Sequence, residues 1–207
     1  IDLAESIQAC DSLLLDAGNR GATFLWSTNE TTQQITVRSP DTYQVTVTNG
    51  EGCHSTKVVN ATITTSPVIE LGDDLSTCEG TTATLIPEVV FNATASLSYN
   101  WSTGQQEQEI IVGQPGVYQL TVRDENGCTA SDQLSLTIDP LPALDLGADI
   151  SRCGIEGQEQ DQLTLKTGLS EMTHLWGSEV GLSGTADSLG IRDDGRYWVT
   201  VTSAAGC

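Results

Sequence analysis

The chain has 207 residues, 38 % of them hydrophobic, enough to fill the core of one large domain or of two to three small ones. With 28 acidic against 8 basic residues the net charge is −20, which excludes a nucleic-acid ligand and a basic contact with anionic lipid. No apolar run approaches the roughly 18 residues of a membrane span, and the segment, which begins at Ile1, shows no basic, then apolar, then small-residue signal pattern; it is expected to be soluble, with any targeting peptide outside it.

In chain order, alternation and enrichment in Val, Ile and Thr predict strand A over 3–8, B over 12–16, C over 23–28, E over 34–38, F over 42–48 and G over 55–63. In F, Tyr43, Val45 and Val47 face one way and Gln44, Thr46 and Thr48 the other, as in a sheet with one buried and one wet face. Short strands punctuated by Gly, Asn and Asp describe an all-β sandwich with no need of a helix.

The same unit then recurs. Trp26, Trp101 and Trp176 are spaced by 75 and 75 residues. Tyr43, Tyr118 and Tyr197 each precede a cysteine by ten, in YQVTVTNGEGC, YQLTVRDENGC and YWVTVTSAAGC. Upstream, LAESIQAC, LGDDLSTC and LGADISRC end at Cys10, Cys78 and Cys153. Each repeat reads Leu, Cys, Trp, Tyr, Cys, and the expected units are 1–66, 67–140 and 141–207. After Cys53 and Cys128 a G strand follows, but the third unit reaches Cys207 without one. The expectation is a window on a longer protein, with a strand donated by another subunit as the alternative.

Six cysteines without a CxxC exclude a zinc knuckle and a thioredoxin-type site, and few lysines among many Thr, Ser and Gly suit a secreted chain with paired cysteines. Six strands counted from A return the F to G turn to the end where A finishes. That parity predicts pairing within units: Cys10 with Cys53, Cys78 with Cys128 and Cys153 with Cys207. A seven-strand count would put each pair at opposite ends. Each loop of 43 to 54 residues would stabilise its small core by roughly 4 kcal/mol.

LGxD, the Trp-Ser-Thr-Gly turn, an Ile-x-Val strand and Gly-x-Tyr-x-Val/Leu-Thr-Val ending in Asn-Gly-Cys resemble the Ig-like or PKD-like repeats of giant Bacteroidota cell-surface adhesins. SprB-like gliding-motility adhesins and other type IX secretion cargo are the family in view. The second unit matches best, through Leu71-Gly72-Asp73-Asp74, Trp101-Ser102-Thr103-Gly104 and Asn126-Gly127-Cys128. The first departs at Leu3-Ala4, and the third at Trp176-Gly177-Ser178-Glu179 and by four extra residues before Tyr197. The resemblance implies tandem Ig-like sandwiches, export to the cell surface, and a non-enzymatic adhesive stalk or filament. Its partners would be further repeats of the same polypeptide, neighbouring filament subunits or surface polysaccharide, with no nucleic acid and no membrane insertion. A carbohydrate-binding or spacer module of a secreted hydrolase and a self-assembling filament subunit are the alternatives.

No catalytic constellation assembles around His54 and His174, and Gly181-Leu182-Ser183-Gly184 is not a nucleophile elbow. No cofactor is expected, with calcium the one candidate: Asp73, Asp74, Asp145 and Asp149 flank the joints, and Asp124 and Glu125 sit in an F to G turn. Fixed spacing from the cysteines assigns Trp26, Trp101 and Trp176 to the core, whereas Trp198 follows Tyr197, projects to the wet face and is the candidate surface contact. Asn29, Asn60, Asn92 and Asn100 begin Asn-x-Ser/Thr sequons. In the family's O-glycosylation pattern, Asp followed by Ser or Thr and an aliphatic residue, Ser12 and Ser188 are the candidates. Ser66-Pro67 and Asp139-Pro140-Leu141-Pro142 mark short joints, from which an extended rod is expected.

Overall fold

A computed structural model describes residues 2–91, 96–151 and 162–207. Eighteen strands and no helix occur among them. In the first repeat they are β1 (Ser6–Cys10), β2 (Leu13–Asp16), β3 (Thr23–Trp26), β4 (Gln34–Val37), β5 (Asp41–Thr48) and β6 (His54–Thr64). They form a four-stranded sheet, β1-β6-β5-β3, and the pair β2-β4. These are the strands A, B, C, E, F and G expected from the sequence. Tyr43, Val45 and Val47 of β5 join Leu15, Trp26, Ile35, Val37 and Val59 in one buried cluster, while Gln44 is exposed. Period-2 alternation sets this sorting, and each buried aliphatic side chain stabilises by about 1.5–3 kcal/mol.

The second repeat carries β7 (Val68–Glu70), β8 (Leu75–Cys78), β9 (Ala83–Leu85), β10 (Glu88–Val90), β11 (Leu97–Trp101), β12 (Ile110–Val112), β13 (Gly116–Asp124) and β14 (Thr129–Asp139). Its four-stranded sheet, β11-β13-β14-β8, has the order of the first, beside the pairs β12-β9 and β10-β7. The third carries β15 (Leu163–Lys166), β16 (Thr173–Ser178), β17 (Ser188–Ile191) and β18 (Tyr197–Thr202), paired as β15-β17 and β16-β18.

By compactness the chain divides differently from its repeats. One unit holds residues 1–72, 85–110 and 118–134, and the other 73–84, 111–117 and 135–207. Each contains one disulfide: Cys10 to Cys128 in the first, Cys78 to Cys207 in the second. These bonds overturn the expected pairing within repeats. Cys53 carries no bond and is exposed, and Cys153 lies outside the described residues.

The cause is the direction of the first strand. β1 pairs with β6 in parallel, placing Cys10 opposite Thr64, and β8 pairs with β14 in parallel, placing Cys78 opposite Asp139. Cys53 stands just before β6 and Cys128 just before β14. The two cysteines of a repeat are therefore separated by the length of an 11-residue strand, roughly 33 Å, where a disulfide requires Cα atoms within about 7 Å. Because β5 is antiparallel to β6, it also runs opposite to β1, so the number of reversals between A and F differs by one from the six-strand count. The observed ends are those of the seven-strand count.

Three tryptophans anchor the repeats in the same way. Trp26, Trp101 and Trp176 are 1–2 % exposed. Their indole N–H groups donate to the carbonyls of Thr32, Glu107 and Ala186 at 2.8, 2.9 and 2.8 Å. Each thus buries a large apolar surface and leaves no donor unpaired. After Trp26 and Trp101 the chain turns at once, with Asn29 and Gly104 donating back to the tryptophan carbonyl at 2.9 and 2.8 Å from left-handed φ of 69° and 85°. In the third repeat the Trp176 amide reaches Gly184 rather than a residue four positions on, which accommodates the extra residues. Trp198 is 48 % exposed. Trp101→Ala should cost about 3–5 kcal/mol in chemical denaturation and Trp198→Ala well under half of that; equal losses would show the faces to be misassigned.

Candidate functional site

The F to G turn is built three times from one plan. Asn49, Asp124 and Ser203 each donate their backbone N–H to the carbonyl of the cysteine four residues on, at 2.9, 2.9 and 2.6 Å. Their side-chain oxygens accept the N–H of Cys53, Cys128 and Cys207 at 2.9, 2.7 and 3.2 Å. Gly52, Gly127 and Gly206, at φ of 84°, 90° and 86°, donate back to the same three residues. A side chain with a short oxygen at the first position and glycine at the fourth are what this turn needs, and all three copies meet that need. The acid of the second copy, Asp124, is occupied by the N–H groups of Asn126 and Cys128, which explains its burial without a cation.

The other half of each bond comes from the end of a first strand. Beyond Cys10, Asp11 turns at φ 60° and donates its N–H to Thr64 at 2.8 Å, while its carboxylate accepts from the N–H and hydroxyl of Ser66 at 2.8 and 2.7 Å. Beyond Cys78, Glu79 donates its N–H to Asp139 at 2.9 Å, and the Ser76 hydroxyl bonds the Asp139 carboxylate. Thr64 Oγ1 lies 3.1 Å from Cys128 Sγ and, since the bonded sulfur has no hydrogen, the hydroxyl donates. Cys128 is 1 % exposed. The first cysteine of one repeat and the last cysteine of the next thus meet at the strand end that the preceding repeat supplies.

The remaining candidates fall apart from this site. Asp74 accepts the N–H of Ser135 at 2.7 Å and Asp145 that of Gly147 at 2.8 Å, while Asp73 and Asp149 are exposed. Among the described residues no three His, Cys, Asp or Glu side chains converge to hold a metal. His174 is buried against Thr167, whose hydroxyl lies 2.9 Å from its Nε2, and His54 is exposed at the start of β6. Ser12 and Ser188 are half-buried, and Asn29, Asn60 and Asn100 are exposed; Asn92 lies outside the described residues. Trp198 stands opposite Gly177 across the β16-β18 pair, and a Cβ on Gly177 would come within 2.5 Å of its indole nitrogen. The glycine of the third repeat is therefore the floor on which that ring rests. The Asp11 to Ser66 bonds and the hydroxyl contacts of Tyr43 and Tyr197 were not legible in the sequence. Those two donate to the carbonyls of Ser39 and Asp193, four residues upstream, at 2.9 and 2.7 Å. This contact at the start of strand F is the tyrosine corner of Ig-type sandwiches.

No family model matches the chain, and no curated protein matches it. Among solved structures it is similar to immunoglobulin domains 1–4 of Sidekick-1, at 13 % identity and a TM-score of 0.34, covering 100 % of this chain and 72 % of that one. It is also similar to the two immunoglobulin domains of DIP-gamma, at 13 % identity and 0.30, covering 64 % and 92 %. A third is titin domains Z1Z2 in complex with telethonin, at 12 % identity and 0.29, covering 66 % and 93 %. The Ig-like fold itself stands on this chain's strand order, its buried C-strand tryptophans and its tyrosine corners: the chain is an all-β array of Ig-like sandwich repeats. No helix among the described residues is long and apolar enough to cross a membrane.

The Asp11 carboxyl is held below its ordinary value of 3.8 by the Ser66 hydroxyl and then by the Ser66 N–H. A lowered folded-state pKa gives stabilisation that is present above the ordinary value and is lost as pH falls through the lowered one. The stability difference between wild type and Asp11→Asn should therefore hold above the ordinary carboxyl value of 3.8 and shrink as pH is taken below it, read by denaturant midpoints; a constant difference would contradict this role.

Proposed function

We propose that the chain is a non-enzymatic, load-carrying repeat region of a large secreted cell-surface protein, of the kind the gliding-motility adhesins of Bacteroidota represent. The observation that supports this reading best is the pair of disulfides, each joining the first cysteine of one repeat to the last cysteine of the next. A closed loop of 118 or 129 residues removes about 5 kcal/mol of chain entropy from the unfolded state on the loop-closure estimate. Because each loop crosses a joint, pulling on one repeat is resisted by its neighbour's fold as well as its own. Disulfides persist in oxidising surroundings, which supports an extracellular address. The acidic surface, at net −20, suits a solvated polymer that does not self-associate.

An extended arrangement belongs to the same proposal and rests on the prolines at the joints, Pro67, Pro140 and Pro142, and on the brevity of the links. With strands of about eight residues, three repeats in line should span about 100 Å. Small-angle scattering should give a rod-like distance distribution reaching about 100 Å; a compact particle near about 55 Å would overturn the stalk.

A further inference from the structure

We propose that Cys53 carries a third disulfide of the same series, to the cysteine that ends the first strand of an Ig-like repeat preceding residue 1 in the same polypeptide. Two observations carry this beyond a lone thiol. The first is the register of the two bonds: Cys10 joins Cys128 and Cys78 joins Cys207, each time the first-strand cysteine of one repeat and the F to G turn cysteine of the next. The second is that the turn around Cys53 is built like the two whose cysteines are bonded. The cysteine amide is capped by Asn49 as by Asp124 and Ser203, and a left-handed glycine stands immediately before it.

The contrast in exposure fits this assignment. Cys128, with its partner in place, is 1 % exposed and touches Thr64 at the end of the neighbouring G strand; Cys53, in the equivalent place, is exposed. The partner is specified by chemistry and position. It is the cysteine of a segment with Leu seven residues and Leu or Ile three residues before it, as in LAESIQAC and LGDDLSTC. Subtracting the observed separations, 118 and 129, from 53 places that cysteine between about 66 and about 77 residues ahead of Ile1. Forming the bond takes two thiols to one disulfide with loss of two protons and two electrons. The electrons pass to a disulfide oxidant of the oxidising compartment, which is reduced to two thiols. The inference is independent of whether the array is adhesive, because it follows from bond register alone.

The test uses the full-length secreted polypeptide, with free thiols blocked before denaturation, followed by non-reducing peptide mapping. The peptide containing Cys53 should be linked to a peptide of the same polypeptide ending in the Leu-x6-Cys pattern, and a non-reducing gel should show no increase in mass. In Cys53→Ser, one new thiol should appear at that preceding cysteine while the Cys10 to Cys128 and Cys78 to Cys207 links persist. A blocked free thiol at Cys53, a mixed disulfide with a small thiol, or a bond to a second polypeptide would each overturn the proposal.

Discussion

Parallel pairing of the first strand of a repeat with its last carries the two cysteines that bracket the repeat to opposite ends. Everything distinctive about this chain depends on that constraint. Cys10 ends its strand beside Thr64, where the G strand finishes, and Cys53 is left where the G strand begins. An 11-residue strand is too long for a disulfide to span, so each first cysteine is available only to a neighbouring repeat. The bond from Cys10 to Cys128 is the consequence, and the bond from Cys78 to Cys207 repeats it.

Around that linkage the repeats tolerate variation wherever the physical requirement can be met in another way. The F to G turn needs a side-chain oxygen that can accept the cysteine N–H, and Asn49, Asp124 and Ser203 supply it with three different groups. The indole of each core tryptophan needs one carbonyl, which Thr32, Glu107 or Ala186 provides. Even the lengthened third repeat keeps this contact, since the extra residues enter the turn and not the strand. What does not vary is glycine at the left-handed position before each turn cysteine, where a Cβ would be strained.

Most of the secondary structure was legible because alternation is a local property. Strand F was expected over 42–48 and is found at Asp41–Thr48, and G over 55–63 at His54–Thr64. The burial of Trp26, Trp101 and Trp176 and the exposure of Trp198 likewise follow from strand phase. Strand A was expected over 3–8 but its ladder is Ser6–Cys10, because pairing with Asn60 to Thr64 sets its limits. Cysteine pairing was not legible in the same way: it depends on which neighbour strand A takes and in which direction, a tertiary choice that no local pattern encodes. The LGxD acids had an equally local appearance, yet Asp74 is spent on the N–H of Ser135, far along the chain.

The lysines offer the most direct measurement of the staggered linkage. Lys57 and Lys166 are the only two, so lysine-specific cleavage of the denatured, thiol-blocked chain gives 1–57, 58–166 and 167–207. With Cys10 bonded to Cys128 and Cys78 to Cys207, all three fragments should travel as one species on a non-reducing gel and separate only on reduction. Release of 1–57 by itself before reduction would mean that Cys10 is not bonded to Cys128, and would contradict the account.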